Sequence, residues 1–330
     1  PGDPFQPENA LQWGVDTVFS QGSLANNRAL FPCHDSPMHV STYTMTLHVP
    51  RGCTATVSAD IHLPPRASGR DQSVFTFRMP TPVPPNALAL FVGPVAVHEL
   101  FDQPLPTRIL CPQPLSAPKP ATTPAVPLGD AGPPAVGVQP KGCNLLTCDC
   151  KVGHHTVRTF QVMVQAIVTA CIGFFGTCPQ DHLDIVIMPP SFASLGIANM
   201  NLVFLAPVVV EDREGAALIT FAHELTHFWY GMQVALLDWN EEWLTKGVAT
   251  YLEERLWAMA QGLSYEETRE MVGIKLMLRY RTLAHEVEAN AEPNALGPVQ
   301  PNGLAATESE VSDSSGEEEE DEEEEEDEEE

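Results

Sequence analysis

Two histidines four positions apart flank a glutamate in His223-Glu224-Leu225-Thr226-His227, inside a run that is apolar on nearly every side. Positions i and i+4 of a helix share a face. His223 and His227 are therefore expected to offer two ring nitrogens to one tetrahedral Zn²⁺. Glu224 would stand beside that metal and take a proton from a bound water whose pKa is lowered to about 7. The plainer alternative is a buried helix with two core histidines. Burying His and Glu without partners is costly, which favours the chemical reading.

The segments that must position these residues read as follows. Residues 215–231, "GAALITFAHELTHFWYG", form a buried helix. A second helix is expected over 240–262 and a third over 264–288, the latter opening on Ser264 and Glu267 in capping-box spacing. Helical spacing also marks 158–172, while 183–190 and 201–210 read as short buried strands. Upstream, 41–50, 53–63, 73–80 and 87–100 alternate in strand fashion between Pro and Gly punctuation. The expected class is α+β. A mostly β N-terminal domain (1–104) precedes a Pro-rich linker or long loop (105–142), too dense in proline to hold a ladder or a helix. A catalytic domain (143–290) and a disordered acidic tail (291–330) follow.

The 330 residues carry a net charge of −27, and the 17 acids of 308–330 supply much of it. The 17 Lys and Arg of the whole chain are spread thinly and form no basic face, so no nucleic-acid partner is expected. The uncharged stretch 159–180 holds Gln161, Gln165 and Thr169 and reads as a buried helix, so no membrane partner is expected either. Eight cysteines fall short of a disulfide scaffold, pointing to free thiols and a cytoplasmic setting. No secretory signal is evident among residues 1–19, and the lack of an initiating Met suggests a fragment. The acidic tail suits basic partners, and Ser314 and Ser315 precede Glu317 and Glu318 as acidophilic kinases favour.

Four segments carry a family resemblance: "NNRALFPCHDSPMHVSTYTMTL" (26–47), "IVIMPPSFASLGIANMNLVFL" (185–205), "HELTHFWYG" (223–231) and "DWNEEWLTKGVATYLEE" (238–254). In this order the chain resembles the gluzincin zinc aminopeptidases, in the branch that includes aminopeptidase B and leukotriene hydrolase. The resemblance implies a thermolysin-like catalytic domain, one catalytic Zn²⁺ and a peptide substrate that loses its N-terminal residue to zinc-activated water. It assigns His223 and His227 as metal ligands, Glu224 as the general base and Glu253 as the carboxylate that orients a ligand. Gly196, Ile197, Ala198 and Asn199 fall on the family's Gly-x-Met-Glu-Asn segment, which holds the substrate's free amine. No acidic residue occurs there in this chain. The family's third ligand, a Glu 19 positions after the second His, falls on Lys246. Stripping a lysine of its proton near neutral pH costs about 4–5 kcal/mol from a reference pKa of about 10.4. Glu242 and Glu253 lie one and two turns from it on roughly the same face, as surrogate ligands. The family's oxyanion tyrosine has no counterpart, since no Tyr follows Tyr280. The expectation is a zinc aminopeptidase by family whose activity is compromised at Lys246. The alternatives are an inactive peptide- or partner-binding paralogue and a fragment of a longer active enzyme.

Three weaker signals remain. Cys143, Cys148, Cys150, His154 and His155 cluster without the paired spacing of a zinc site, and a loop with free thiols is favoured. Cys33, His34 and Asp35 read as a turn rather than a nucleophilic site. Trp229, Trp239 and Trp243 could line a pocket or pack a core.

Overall fold

The computed structural model describes residues 10–14, 16–22, 26–113, 154–212 and 215–289. The acidic tail, Ser314, Ser315 and the three cysteines of the 143–150 cluster lie outside them, as do the side chains of His154 and His155.

Three sheets carry the chain. Strands β1 (Leu11–Trp13), β2 (Val18–Ser20), β7 (Leu90–Gly93) and β4 (Thr54–Val57) form an antiparallel sheet in that order. Strand β6 (Gln72–Val83) lies between β3 (Ser41–Pro50) and β5 (Asp60–Ser68) in a second antiparallel sheet. The third, mixed sheet runs β11 (Gly196–Asn199), β12 (Leu202–Leu205), β10 (Leu183–Ile187), β9 (Thr107–Pro112), β8 (Val95–Phe101). Here β10 pairs in parallel with both β9 and β12, and the antiparallel β11 forms the edge. Against this sheet pack α1 (His154–Phe175), α2 (Pro207–Glu211) and α3 (Ile219–Thr226), with α4 (Glu242–Ala260) and α5 (Tyr265–Ala289) beyond them. The α+β class stands.

Several boundaries differ from the sequence reading, each for a local reason. The Pro-rich zone opens with a strand: "TRILCP" is β9, inserted between β8 and β10 and buried at Ile109, Leu110 and Cys111. Proline density averaged over 38 residues hid six that form a ladder. The strand expected at 201–210 stops at Leu205, because Pro207 opens α2 at a first-turn position where its missing N–H costs nothing. The helix expected over 215–231 is α3 alone, ending at Thr226, with Gly231 at φ 116° turning the chain back. Segments 53–63 and 87–100 each divide into two strands. The capping box is as expected: Glu267 accepts from the Ser264 backbone N–H at 2.8 Å and donates its own N–H to Ser264 Oγ at 3.3 Å.

The main core is continuous across the first and third sheets. Phe19 of β2 meets Phe192 and Phe204 edge-on at 5.9 and 6.5 Å between centroids, and α1 and α3 close the other side through Ile167, Phe221 and Leu225. A smaller core sits under β3 and β6 around Val49, Phe75, Phe77 and Met79.

Candidate active site

Helix α3 lies between β11 and α4, and its ionisable face is turned toward both. Gly196 makes this approach possible, since a Cβ there would sit 2.7 Å from Glu224 Cγ. With glycine in place, Glu224 Oε2 accepts the Ala198 backbone N–H at 2.8 Å. Burial pushes the Glu224 carboxyl above its ordinary range, against the pull of His223, of Lys246 and of that N–H.

The two histidines are each held from behind. His223 Nδ1 lies 2.6 Å from Glu253 Oε2 on α4, and Arg279 of α5 donates to Glu253 Oε1 at 2.5 Å. Burial alone would raise the Glu253 pKa, but the bonds from His223 and Arg279 hold it below the usual carboxylate range. His227 Nδ1–H donates to the Tyr230 carbonyl at 3.1 Å. Both Nε2 atoms therefore turn inward and approach to 3.3 Å. A carboxylate or carbonyl at one ring nitrogen, with the other free to coordinate, is the arrangement of metal-binding histidines.

The third corner is Lys246, whose Nζ stands 3.5 Å from His227 Nε2. An ammonium has donors and no lone pair, so it occupies the corner without serving as a ligand. Burial, then the charges of Lys246 and His223, lower the His227 pKa to about 3, so this imidazole is neutral and its Nε2 accepts. Glu242, one turn before Lys246, lines the same cleft, and burial raises its pKa against the attraction of Lys246. Glu253 is engaged at the outer nitrogen of His223, on the far side from His227. Among the described residues no group of three or more His, Cys, Asp or Glu is arranged to hold a metal ion. The two histidines suit Zn²⁺; the set as a whole does not.

The cleft in front of these residues has a volume of about 330 Å³. Its walls are β11 with Gly196, Ile197, Ala198 and Asn199, the Glu224–His227 face of α3, and Glu242 to Lys246 of α4. Trp239 lines it too, anchored by its Nε1–H to the Asp35 carbonyl at 2.9 Å. Trp229 is core, stacked on Phe175 at 4.2 Å, and Trp243 is exposed. Asp35 is a turn residue at φ 48° that accepts the Arg28 N–H and guanidinium at 3.0 and 2.9 Å. Sequence reasoning missed Asn86, Gln21 and Arg279. None belongs to a short motif; tertiary contact alone brings them to the site.

A family model described as the peptidase family M1 domain matches residues 159–302. Over these residues the chain is similar to the M1 peptidases. Human aminopeptidase O is 26% identical over 305 residues, covering 85% of this chain and 35% of that protein. Mouse aminopeptidase B is 27% identical over 281 residues, covering 85% of this chain and 36% of that protein. The M1 zinc metallopeptidase of Deinococcus radiodurans superimposes with a TM-score of 0.52 at 25% identity, covering 78% of this chain and 49% of that one. A mutant of that bacterial enzyme has been solved bound to a Tyr-Ser-Ala substrate. The chain thus spans about a third of the length of the curated relatives it matches. The Deinococcus relative is a zinc metallopeptidase, and it is against that likeness that Lys246 stands out.

Proposed function

We propose that this chain is a peptide-binding M1 family member in which an internal lysine ammonium takes the place of the catalytic metal. The observation that carries this reading is Lys246 Nζ at 3.5 Å from the neutral Nε2 of His227, with Glu224 in the same cleft. A cation is already held there by covalent attachment, and Zn²⁺ entering beside it would meet both repulsion and a missing third ligand. The peptide part rests on β11. It is the edge strand of the mixed sheet and a wall of the cleft, and an edge strand offers main-chain groups to an extended segment. The peptide-bound Deinococcus relative supports the same ligand class.

The test is zinc stoichiometry of the chain beside Lys246→Glu after dialysis against zinc, with hydrolysis of an aminoacyl amide measured on both. The expected result is no retained zinc in the natural chain and one equivalent in the variant. One equivalent in the natural chain, with hydrolysis, would sink the proposal and establish an active zinc aminopeptidase using a surrogate carboxylate such as Glu242.

A further inference from the structure

Two polar atoms on the cleft wall are buried and without a hydrogen-bond partner: Asn199 Nδ2 on β11 and Asn86 Oδ1 on the 3-10 turn Pro85–Ala87. The turn packs directly against β11. Its position is fixed by Asn27, whose amide donates to the carbonyls of Pro85 and of Leu88, the latter at 3.1 Å. Asn199 is only 4% exposed. Other polar groups of the cleft are already engaged: Ser194 Oγ with the Gly196 carbonyl, Thr245 Oγ1 with the Glu242 carbonyl, and Trp239 Nε1 with the Asp35 carbonyl. A buried donor and a buried acceptor left open on one cleft wall each cost about 1–3 kcal/mol unless something supplies the missing bond.

The complement of an unpaired amide donor and an unpaired amide acceptor among the residues lining one cleft is a neutral amide, whose carbonyl accepts and whose N–H donates. An ammonium has no acceptor for Asn199 Nδ2. It would also meet the fixed positive charge of Lys246. The carboxylates on the cleft, Glu224 and Glu242, both face that lysine's charge, and Glu224 Oε2 is further taken by the Ala198 N–H. We propose that the cleft selects peptides whose N-terminus is a neutral amide, as in an N-acylated terminus, and discriminates against a free amino terminus, with Asn199 and Asn86 reading that amide. The proposal rests on the reading of this cleft as a peptide site.

The test uses the intact natural chain in isothermal titration calorimetry with two short peptides, acetyl-Ala-Ala-amide and Ala-Ala-amide. The pH is 6.5, where a free amino terminus of pKa about 8 is protonated. The expected result is at least tenfold tighter binding of the acetylated peptide, with the preference lost in Asn199→Leu. Equal binding, or tighter binding of the free amine, would overturn the proposal and leave the peptide site standing. Binding of neither at millimolar concentration would overturn both. Should Asn199→Leu fail to fold, Asn86→Ala on the turn serves instead. A preference that persists in the folded variant places the selection elsewhere and overturns the assignment.

Discussion

His227 is locked into one protonation state from both of its ring nitrogens. Its Nδ1–H is spent on the Tyr230 carbonyl, and its Nε2 faces a lysine ammonium, so a second proton would sit buried beside a fixed charge. The unfolded histidine protonates near pH 6.5 and the folded one only at about 3. Between those values the unfolded state binds more protons, so stability falls as pH falls, with a slope of at most about 1.4 kcal/mol per pH unit from this group. Imidazole NMR of the folded chain should show no titration of His227 from about pH 8 to about pH 5. Lys246→Met should move its midpoint upward, since one of the two opposing charges is gone. A midpoint near 6.5 in the natural chain would contradict the burial and the lysine contact together. The i, i+4 spacing made this histidine pair legible in the sequence, and counting 19 positions onward made Lys246 legible. The partners that hold the pair were not. Glu253 was found through the family pattern, but Arg279, 26 positions further on, follows no spacing rule.

At the scale of elements, α5 is attached more by charge than by apolar packing. Val272 is its buried hydrophobic residue among the described side chains, while Ile274, Met277, Leu278 and Tyr280 face outward. Its hold on α4 is a network in which Lys275 and Arg279 converge on Glu254, itself 3% exposed, and Arg279 also reaches Glu253 and the Thr250 carbonyl. Removing the buried partner leaves Lys275 without its carboxylate and Arg279 with Glu253 alone, a loss smaller than the about 3–5 kcal/mol of a stranded buried charge because both cations reach solvent. Glu254→Ala should therefore raise amide hydrogen exchange throughout α5 while α1 and α3 keep their protection. Unchanged exchange in α5 would mean that Val272 and its neighbours suffice. The Ser264–Glu267 cap made the start of this helix readable from sequence. What composition concealed was β9, because a strand buried on both faces carries no alternation, and its apolar run was set among prolines.

For the whole molecule, the decisive fact is that the mixed sheet crosses the boundary drawn from sequence at residue 104. Strand β8 lies before it and β9 after it, yet they are neighbours, and β9 in turn pairs with β10. The first sheet is tied to this one by more than Phe19 and its partners. Asp184 on β10, with its side chain 4% exposed, is gripped by Arg108 on β9 through Nε at 2.8 Å and a second nitrogen at 2.7 Å, and by Thr56 Oγ1 of β4 at 3.2 Å. Asn201, just past β11, donates to Asp60 of β5 at 3.1 Å. Two sheets joined by one core, and by Thr56 on an Asp184 that Arg108 holds in place, should unfold together rather than as an N-terminal and a catalytic unit. Arg108→Met would strand the Asp184 carboxylate and cost about 3–5 kcal/mol. Replacing both partners, Arg108→Met with Asp184→Leu, should recover much of that loss, because no buried charge is left without a counterpart. Urea unfolding followed by tryptophan fluorescence and by far-ultraviolet circular dichroism is expected to give one coincident transition in the natural chain. In Arg108→Met both curves should shift to lower urea by the same amount. If the two probes separate in the single variant while the natural chain stays coincident, the ion pair is the tie between two units that can otherwise melt independently. If they separate in the natural chain as well, the shared sheet does not couple them and the boundary at residue 104 is a real division of the molecule.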